Sequence, residues 1–397
     1  MKVIKGNIAS PLGFSADGLH AGFKRKKMDF GWIVSEVPAS VAGVYTTNKV
    51  IAAPLIVTRD SVKKTQKMKA IVVNSGNANS CTGIQGMEDA YTMQKWTADK
   101  LGVEPDLVGI ASTGIIGELL PMETLKNGLS KIVINGNSDD FSKAILTTDT
   151  SEKNVAVSEM FGRDEVIMAG VAKGSGMIHP NMATMLAFIT CDANISSDTL
   201  QLALSKNVET SFNQITVDGD TSTNDTVLVL SNGCTLNEEI LPDTPDFDKF
   251  SAMLSYVMTE LAKKIAKDGE GATKLIEVEV TNAPNEVDAR MMAKSVVGSS
   301  LVKTAIFGED PNWGRILAAI GYAGVDIAVD NIDIFLDNIP VMLASSPVTY
   351  DEDEMQDVMK EDDIKITVDL HSGDSVGHAW GCDLSYDYVK INALYRT

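Results

Sequence analysis

The sequence predicts an α/β protein, because segments typical of strands alternate along the chain with segments typical of helices. Residues 71–73 form a short apolar run, typical of a buried strand, that stops at the turn-forming residues 74–79. A helix is expected from about residue 87 to residue 101, followed by a strand at residues 107–110. Pro121 then opens another helix, as proline suits a first helical turn.

The strongest helical pattern covers residues 247–267, where apolar side chains recur at three- and four-residue spacing. Gly269 is a natural stop for this helix. A ligand could closely approach Glu270, which two glycines flank, but the residues alone favour an exposed loop acid. The alternating strand at residues 277–281 and a helix through Met291 and Met292 restart the pattern. The sequence therefore predicts a main domain of residues 1–275 and a smaller C-terminal domain of residues 276–397.

The composition favours a folded, cytoplasmic protein. A chain of 397 residues with 44% hydrophobic residues can bury a large core, and its length suits about two domains. It contains no apolar run near the roughly 20 residues of a membrane helix, and the first six residues lack the apolar stretch of a secretory signal. The net charge of −20 argues against a nucleic-acid partner, which would be repelled.

The cysteines and histidines give little support to a metal centre or a histidine-dependent nucleophile. Four cysteines lie far apart with no CxxC pair, a pattern that fits reduced core thiols better than a disulfide framework or a zinc site. Four histidines are equally scattered, and His179 is interpreted as structural or substrate-facing. No metal and no cofactor are expected.

The densest chemistry lies in residues 173–192, KGSGMIHPNMATMLAFITCD. A lysine before a glycine-rich loop could hold a phosphate, but the P-loop order of glycines followed by Lys-Ser/Thr is absent. Thr184 precedes the apolar run 185–189, which predicts a buried strand with a hydroxyl at its mouth. Because threonine commonly begins ordinary strands, the residues alone favour a plain strand over a nucleophile.

Long segments spread over nearly the whole chain carry a family resemblance. They are residues 74–79 (NSGNAN), 147–150 (TTDT), 173–192, 215–226 (ITVDGDTSTNDT), 269–274 (GEGATK), 305–315 (AIFGEDPNWGR) and 380–392 (WGCDLSYDYVKIN). From Val37 to the last residue, the chain resembles the ornithine acetyltransferase family of arginine biosynthesis. Segments of this length are too specific for a chance match.

The resemblance implies a precursor that cuts itself at the Ala183–Thr184 bond into chains of residues 1–183 and 184–397. The Thr184 hydroxyl would attack the preceding carbonyl, and water would release a new α-amine. That amine titrates at roughly 7.7–8.0, so it can serve as the base for its own hydroxyl. Acetyl transfer would then run through an acetyl-Thr184 ester, from N-acetylornithine to glutamate.

The resemblance also implies the residues of the site. The oxyanion hole is expected at Thr113 and Gly114, where glycine allows a close backbone approach. The residues expected to bind substrate are Thr147, Lys173, Thr184, Glu270, Asn392 and Thr397. Thr147 has close neighbours in Thr148 and Thr150, and the motif leaves open which of the three contacts substrate.

The implied fold is an αββα layered sandwich with two sheets between helices, together with a smaller C-terminal α/β domain. The cleaved chains are expected to pair into (αβ)₂ assemblies. Some members of the family also take acetyl-coenzyme A as donor, and the sequence leaves that open here. Two alternatives remain at this point: an aminopeptidase or amidase of the same fold, and a non-catalytic binding protein.

Overall fold

The computed structural model describes residues 1–179 and 185–394. The predicted cleavage residues Ala183 and Thr184 and the predicted tail residue Thr397 lie outside the described residues. Strands and helices alternate along the chain, so the α/β prediction is confirmed.

The strands fall into two sheets. They are β1 (Lys2–Ile4), β2 (Phe14–Leu19), β3 (Phe30–Tyr45), β4 (Lys67–Asn77), β5 (Val108–Ile115), β6 (Lys153–Phe161), β7 (Asp164–Lys173), β8 (Leu186–Cys191), β9 (Ile215–Thr216), β10 (Thr226–Ser231), β11 (Leu275–Ala283), β12 (Asp333–Leu336), β13 (Ile339–Leu343), β14 (Ser346–Pro347), β15 (Asp363–Asp369) and β16 (Ser375–Cys382).

The helices agree with most of the sequence prediction. They are α1 (Ala53–Thr65), α2 (Gly83–Leu101), α3 (Met122–Ser130), α4 (Asp139–Ile145), α5 (Ser197–Val208), α6 (Pro245–Lys267), α7 (Glu286–Gly298), α8 (Ser300–Phe307), α9 (Trp313–Gly321), α10 (Glu352–Lys360) and α11 (Tyr386–Leu394). Within the part of the chain that the structure describes, no helix is both long and apolar enough to span a membrane.

The first sheet has the order β1-β6-β7-β8-β10-β3-β4-β5, with β2 also paired to β3. The sixteen-residue β3 links its two halves: its first part pairs with β2 and β4, and its last part, from Ser40 to Tyr45, pairs with β10. The register of β3 against β4 shifts between Val34 and Ala39. One apolar cluster joins residues of both halves, including Ile71 from β4 and Phe188 from β8. The halves therefore face each other across a shared core.

Helices cover the outer faces of both halves. Side chains of α1, α2 and α3 share a core cluster with β3, β4 and β5. On the other side, α5 and α6 share a core cluster with β6, β7, β8 and β10. This is the helix–sheet–sheet–helix layering that the resemblance implied.

The second sheet has the order β14-β13-β12-β15-β11-β16-β9 and carries its own core with α7, α8, α9 and α10. That core begins at Ile276 and extends to Ala379. The short strand β9 comes from the earlier part of the chain and pairs with β16. The boundary at residues 275 and 276 stays a prediction.

Two local expectations were wrong. Residues 74–77 continue β4 rather than forming a turn, because β5 runs parallel to this segment and pairs with it as far as Asn77. Cys81 is exposed, whereas Cys191 and Cys382 are buried; all four cysteines are free thiols.

Candidate active site

A cavity of about 230 Å³ lies where the ends of β5 and β7 meet the start of β8. Its lining comprises Ala78, Thr113, Gly114, Ile116, Thr147, Thr148, Lys173, Gly176, Met177, Ile178, Met185, Leu186, Asp218, Asp220, Ser222, Asn224, Asp225, Glu270, Tyr388 and Asn392. The structure thus brings together the six predicted site residues that it describes, from Thr113 in β5 to Asn392 in α11. We call this space the active-site cavity.

The start of β8 is held at the cavity from both sides. Leu186 is paired with Lys173 of the antiparallel β7 and with Thr226 of the parallel β10. The Thr226 amide donates a hydrogen bond of 2.9 Å to the carbonyl oxygen of Met185. Thr184 directly precedes Met185 in the sequence, so the chain enters the described β8 at the cavity wall.

Gly114 occupies a position that a side chain cannot share. Its φ is +132°, and it pairs with Gly76 of β4. A Cβ at Gly114 would lie 2.4 Å from the carbonyl carbon of Gly76 and 2.6 Å from the amide nitrogen of Asn77. Only glycine therefore allows β5 to approach the backbone of β4 this closely beside Thr113.

Lys173 brings a buried amine to the cavity. Its side chain is 8% exposed, and its Nζ donates a long hydrogen bond of 3.4 Å to Thr113 Oγ1. Burial lowers the pKa of Lys173 and Lys153 lowers it further, while Asp149, Asp225 and Glu270 act in the opposite direction. An ammonium has three protons, so Lys173 has donor capacity left for a ligand.

Asp149 organises the backbone behind Lys173. Its Oδ1 accepts hydrogen bonds from Gly174 N at 2.7 Å and from Lys153 Nζ at 2.8 Å, and its Oδ2 accepts one from Thr147 N at 3.0 Å. Burial alone would raise the pKa of Asp149, but Lys173 and Lys153 outweigh it and hold the pKa well below its usual range.

The three neighbouring threonines are separated by the structure. Thr147 and Thr148 both line the active-site cavity. The hydroxyl of Thr150 instead donates a hydrogen bond to Asp268, beyond the end of α6. The cavity therefore retains Thr147 and Thr148 as candidates for substrate contact.

Glu270 is buried, contrary to the expectation of an exposed loop acid. It is 8% exposed, and its amide donates a hydrogen bond of 2.9 Å to the Ser175 carbonyl oxygen. Its Oε2 accepts a hydrogen bond of 2.8 Å from Asn392 Nδ2. A Cβ at Gly176 would lie 2.4 Å from the Glu270 carboxyl carbon. The expectation failed because the glycine loop and the C-terminal helix α11, both distant in sequence, cover this carboxylate.

Sequence reasoning missed two aspartates as members of the site. Asp218 accepts hydrogen bonds from the backbone amides of Met177 (2.7 Å) and Ile178 (2.8 Å), so it shapes the glycine-rich loop. Asp225 is 2% exposed, and its Oδ2 has no hydrogen-bond partner among the described residues. Burial raises the pKa of Asp225 well above its usual value, against the opposing effect of Lys173. Both aspartates lie in the family motif of residues 215–226, which was the signal that could have found them.

His179 lies apart from the active-site cavity and lines a neighbouring cavity with Thr221, Arg290 and Lys294. Its Nδ1 is 3.0 Å from Thr216 Oγ1. Burial, aided by Lys294, lowers the pKa of His179 to about 4. The interpretation of His179 as structural or substrate-facing stays a prediction.

Comparison with known proteins decides the family. The family model for ArgJ matches residues 15–397. The chain belongs to the ArgJ family. This ArgJ protein is therefore an acyltransferase of arginine biosynthesis.

Similar ArgJ proteins match over the full chain. The protein named "Arginine biosynthesis bifunctional protein ArgJ" from Streptococcus mutans is 84% identical over 397 residues, with all of both chains covered. The protein of the same name from Staphylococcus epidermidis is 69% identical, again with complete coverage of both. A crystal structure of the protein of that name from Bacillus halodurans has 53% identity and a TM-score of 0.52; it covers 53% of this chain and 100% of its own.

Proposed function

We propose that this ArgJ protein cuts itself between Ala183 and Thr184, and that the Thr184 hydroxyl then carries an acetyl group from N-acetylornithine to glutamate. In enzyme class it is a glutamate N-acetyltransferase with amino-acid N-acetyltransferase as its second activity. The observation that carries the proposal is the single cavity that gathers Thr113, Lys173 and Glu270 beside the start of β8.

Self-cleavage supplies the base that the histidines do not. Attack of the Thr184 oxygen on the Ala183 carbonyl carbon forms an ester and frees the Thr184 nitrogen as an amine; water then hydrolyses the ester. The amine stands on the same residue as the nucleophilic hydroxyl and takes its proton. The length of the Bacillus halodurans chain is consistent with such a cut: it matches over its whole length yet covers 53% of this chain. Residues 184–397 would form a chain of similar length.

Thr113 and Gly114 fit the role of an oxyanion hole. Each transfer step passes through a tetrahedral intermediate whose negative oxygen needs fixed hydrogen-bond donors. Gly114 is locked against the backbone of Gly76, and a neighbouring hydroxyl stands on Thr113. The nearby Lys173 Nζ, 3.4 Å from Thr113 Oγ1, adds positive charge where the oxyanion develops.

Lys173 and Glu270 give the cavity the two charges that an amino-acid substrate requires. Lys173 is suited to a substrate carboxylate, and Glu270 to the ammonium of ornithine. Asn392 orients Glu270 through the 2.8 Å hydrogen bond from α11, and Thr147 adds a hydroxyl to the wall. Thr397 is proposed to complete the site from the tail.

The acceptor distinguishes this proposal from its nearest rival. An aminopeptidase or amidase would use water in place of glutamate, and a non-catalytic binding protein would keep the fold without cleavage. The high sequence identity to bifunctional ArgJ proteins, which extends over the full length of both chains, favours the transferase. We also propose a cytoplasmic location and an (αβ)₂ assembly of the cleaved chains.

The test combines a gel and an acetyl-transfer assay. A denaturing gel of the purified protein should show two fragments in place of the 42.5 kDa chain, with a new N-terminus at Thr184. Incubation with N-acetylornithine and glutamate should produce ornithine and N-acetylglutamate in equal amounts. Thr184→Ala should abolish both cleavage and transfer, and Thr184→Ser should retain some of each.

Thr92→Ala provides the matched control, because it makes the same change on helix α2, away from the cavity lining. It should cleave and transfer as the unaltered protein does. Release of acetate without N-acetylglutamate would replace the proposal with an amidase. A chain that stays intact yet transfers acetyl groups would contradict the role of the Thr184 amine.

A further inference from the structure

Four consecutive cations, Lys24, Arg25, Lys26 and Lys27, stand out in a protein that carries 54 acidic and 34 basic residues. Arg25, Lys26 and Lys27 are exposed, and Lys24 is half-buried. None of the four forms a salt bridge with any residue in the described ranges 1–179 and 185–394. This segment, residues 23–27, is called the basic loop below. The positive charge of its three exposed residues is therefore available to a ligand.

The basic loop is held in place rather than loosely attached. The buried Asp29 carboxylate accepts hydrogen bonds from Ala21 N at 2.6 Å and from Lys24 N at 2.8 Å. Lys24 Nζ donates a hydrogen bond of 2.8 Å to the carbonyl oxygen of Leu146, the residue before Thr147. Burial lowers the pKa of Lys24 to about 8, against the opposing effect of Asp29. The loop thus presents its charges from a defined position.

The position of the loop is directly behind the proposed oxyanion hole. A Cβ on Gly76 would lie 3.0 Å from Lys24 Cγ and 3.1 Å from the Phe23 carbonyl oxygen, so the loop packs on Gly76. Gly76 in turn pairs with Gly114. One strand therefore separates the basic loop from Gly114.

A further cavity, about 910 Å³ in volume, lies on this side of the molecule. Its lining is Phe23, Lys24, Arg25, Lys26, Lys27, Gly76, Ile115 and Thr147. Thr147 also lines the active-site cavity, so the two spaces share a wall residue. A ligand that reached across Thr147 would have one end at the site of transfer and the other among the cations.

We propose that the basic loop binds the phosphate groups of acetyl-coenzyme A when that thioester is the acetyl donor. Neither N-acetylornithine nor glutamate carries a phosphate, so neither needs four clustered cations. Coenzyme A carries its phosphates at the end of a long, flexible, uncharged arm, with the acetyl thioester at the other end. The two cavities meet at Thr147, so a donor with its phosphates at one end and its thioester at the other would lie across that shared wall.

This inference rests on the proposed function, since it needs Thr184 as the acetyl acceptor. The Thr184 oxygen forms a bond to the acetyl carbonyl carbon, and the carbon–sulfur bond breaks. Sulfur leaves as the thiol of coenzyme A, with the proton that the hydroxyl gave up. The acetyl group then passes to glutamate as it does from N-acetylornithine.

The test replaces the three exposed cations together, as Arg25→Ala/Lys26→Ala/Lys27→Ala, in the purified full-length protein. Glutamate acetylation is measured with three donors in turn: acetyl-coenzyme A, N-acetylornithine and acetyl-pantetheine, which keeps the thioester but has no phosphate. The KM for acetyl-coenzyme A should rise about tenfold, equivalent to about 1.4 kcal/mol of binding free energy. The rates with N-acetylornithine and with acetyl-pantetheine should be unchanged.

A matched control removes one arginine and two lysines elsewhere, as Lys131→Ala/Arg163→Ala/Lys206→Ala. These three residues are exposed and line neither of the two cavities. The control alters the net charge of the protein equally, so an equal rise of its KM for acetyl-coenzyme A would overturn the proposal in favour of general electrostatic attraction. An unchanged KM in the loop variant would overturn it too.

The donors separate this inference from the function on which it rests. If the unaltered protein transfers acetyl groups from N-acetylornithine but not from acetyl-coenzyme A, the inference about the basic loop is wrong and the transferase proposal stands. If neither donor acetylates glutamate, both are wrong.

Discussion

Gly114→Ala tests the close backbone contact on which the proposed oxyanion hole depends. The new Cβ would lie 2.4 Å from the Gly76 carbonyl carbon, whereas ordinary van der Waals contact begins at 3.4 Å. The overlap of about 1 Å is with backbone in a paired strand, so β4 and β5 must move apart. Overpacking of this kind costs about 1–3 kcal/mol, and alanine at a φ of +132° adds strain of about 1–3 kcal/mol.

Gly117→Ala is the matched control for the backbone strain. Gly117 also has a positive φ, +85°, but a Cβ there would meet nothing within 4 Å. It should lose only the strain of about 1–3 kcal/mol and keep its transfer rate. Gly114→Ala should lose about 1–3 kcal/mol more in free energy of unfolding. If the movement displaces a donor of the hole, kcat should fall about 10²- to 10³-fold.

Urea unfolding and the N-acetylornithine–glutamate assay measure the two effects on the same preparations. The comparison refers both variants to the unaltered protein under identical conditions. Equal unfolding free energies and equal kcat values for the two variants would refute the argument, because the close contact with Gly76 would then have no consequence.

Three further predictions concern single side chains, two that line the active-site cavity and one, His179, that lies outside it. Thr113→Val removes the hydroxyl while keeping the shape of the side chain, and it should lower kcat about 10²- to 10³-fold in the transfer assay. Thr113→Ser keeps a hydroxyl and should retain most of the kcat. Equal losses of kcat in the two variants would exclude a role of the hydroxyl in the oxyanion hole. Asn392→Asp replaces the donor 2.8 Å from Glu270 Oε2 by a second negative charge, which disfavours the ionised form of Glu270. The KM for N-acetylornithine, measured from initial rates, should therefore rise more than in Asn392→Ala. The pKa of His179 is lowered to about 4 in the folded protein, whereas an unfolded histidine titrates near 6.5. As the pH falls below about 6.5, His179 is therefore protonated in the unfolded chain before it is protonated in the folded protein, which destabilises the fold. Urea unfolding at pH 7 and pH 5 should therefore show a loss of stability that is smaller in His179→Asn; an equal loss would contradict this.

Local sequence patterns were sufficient to predict those helices and strands whose own residues determine them. The three- and four-residue spacing predicted a helix over 247–267, and the structure has α6 at Pro245–Lys267. The apolar run after Thr184 predicted a strand, and β8 follows at Leu186–Cys191. The family resemblance named residues that the structure brings to one cavity, but their positions relative to one another could not be predicted from local sequence patterns.

Burial was harder to predict, because it depends on which distant segments pack together. Glu270 was expected to be an exposed loop acid because it lies just beyond the end of a helix. The structure covers it with Gly176 from one loop and Asn392 from the C-terminal helix. The burial of Asp225 could not be predicted for the same reason, because its carboxyl group is enclosed by segments distant in sequence, including Lys173.

By itself, then, the sequence determined the alternation of strands and helices, the apolar strand that follows Thr184 and the family to which the motifs belong. These properties depend on neighbouring residues and on long uninterrupted motifs. Only the tertiary structure decided that β3 joins two facing half-sheets, that Glu270 is buried, and that the basic loop lies behind Gly76 and beside Thr147. Those outcomes depend on pairing between residues far apart in the chain, and no local periodicity encodes such pairing.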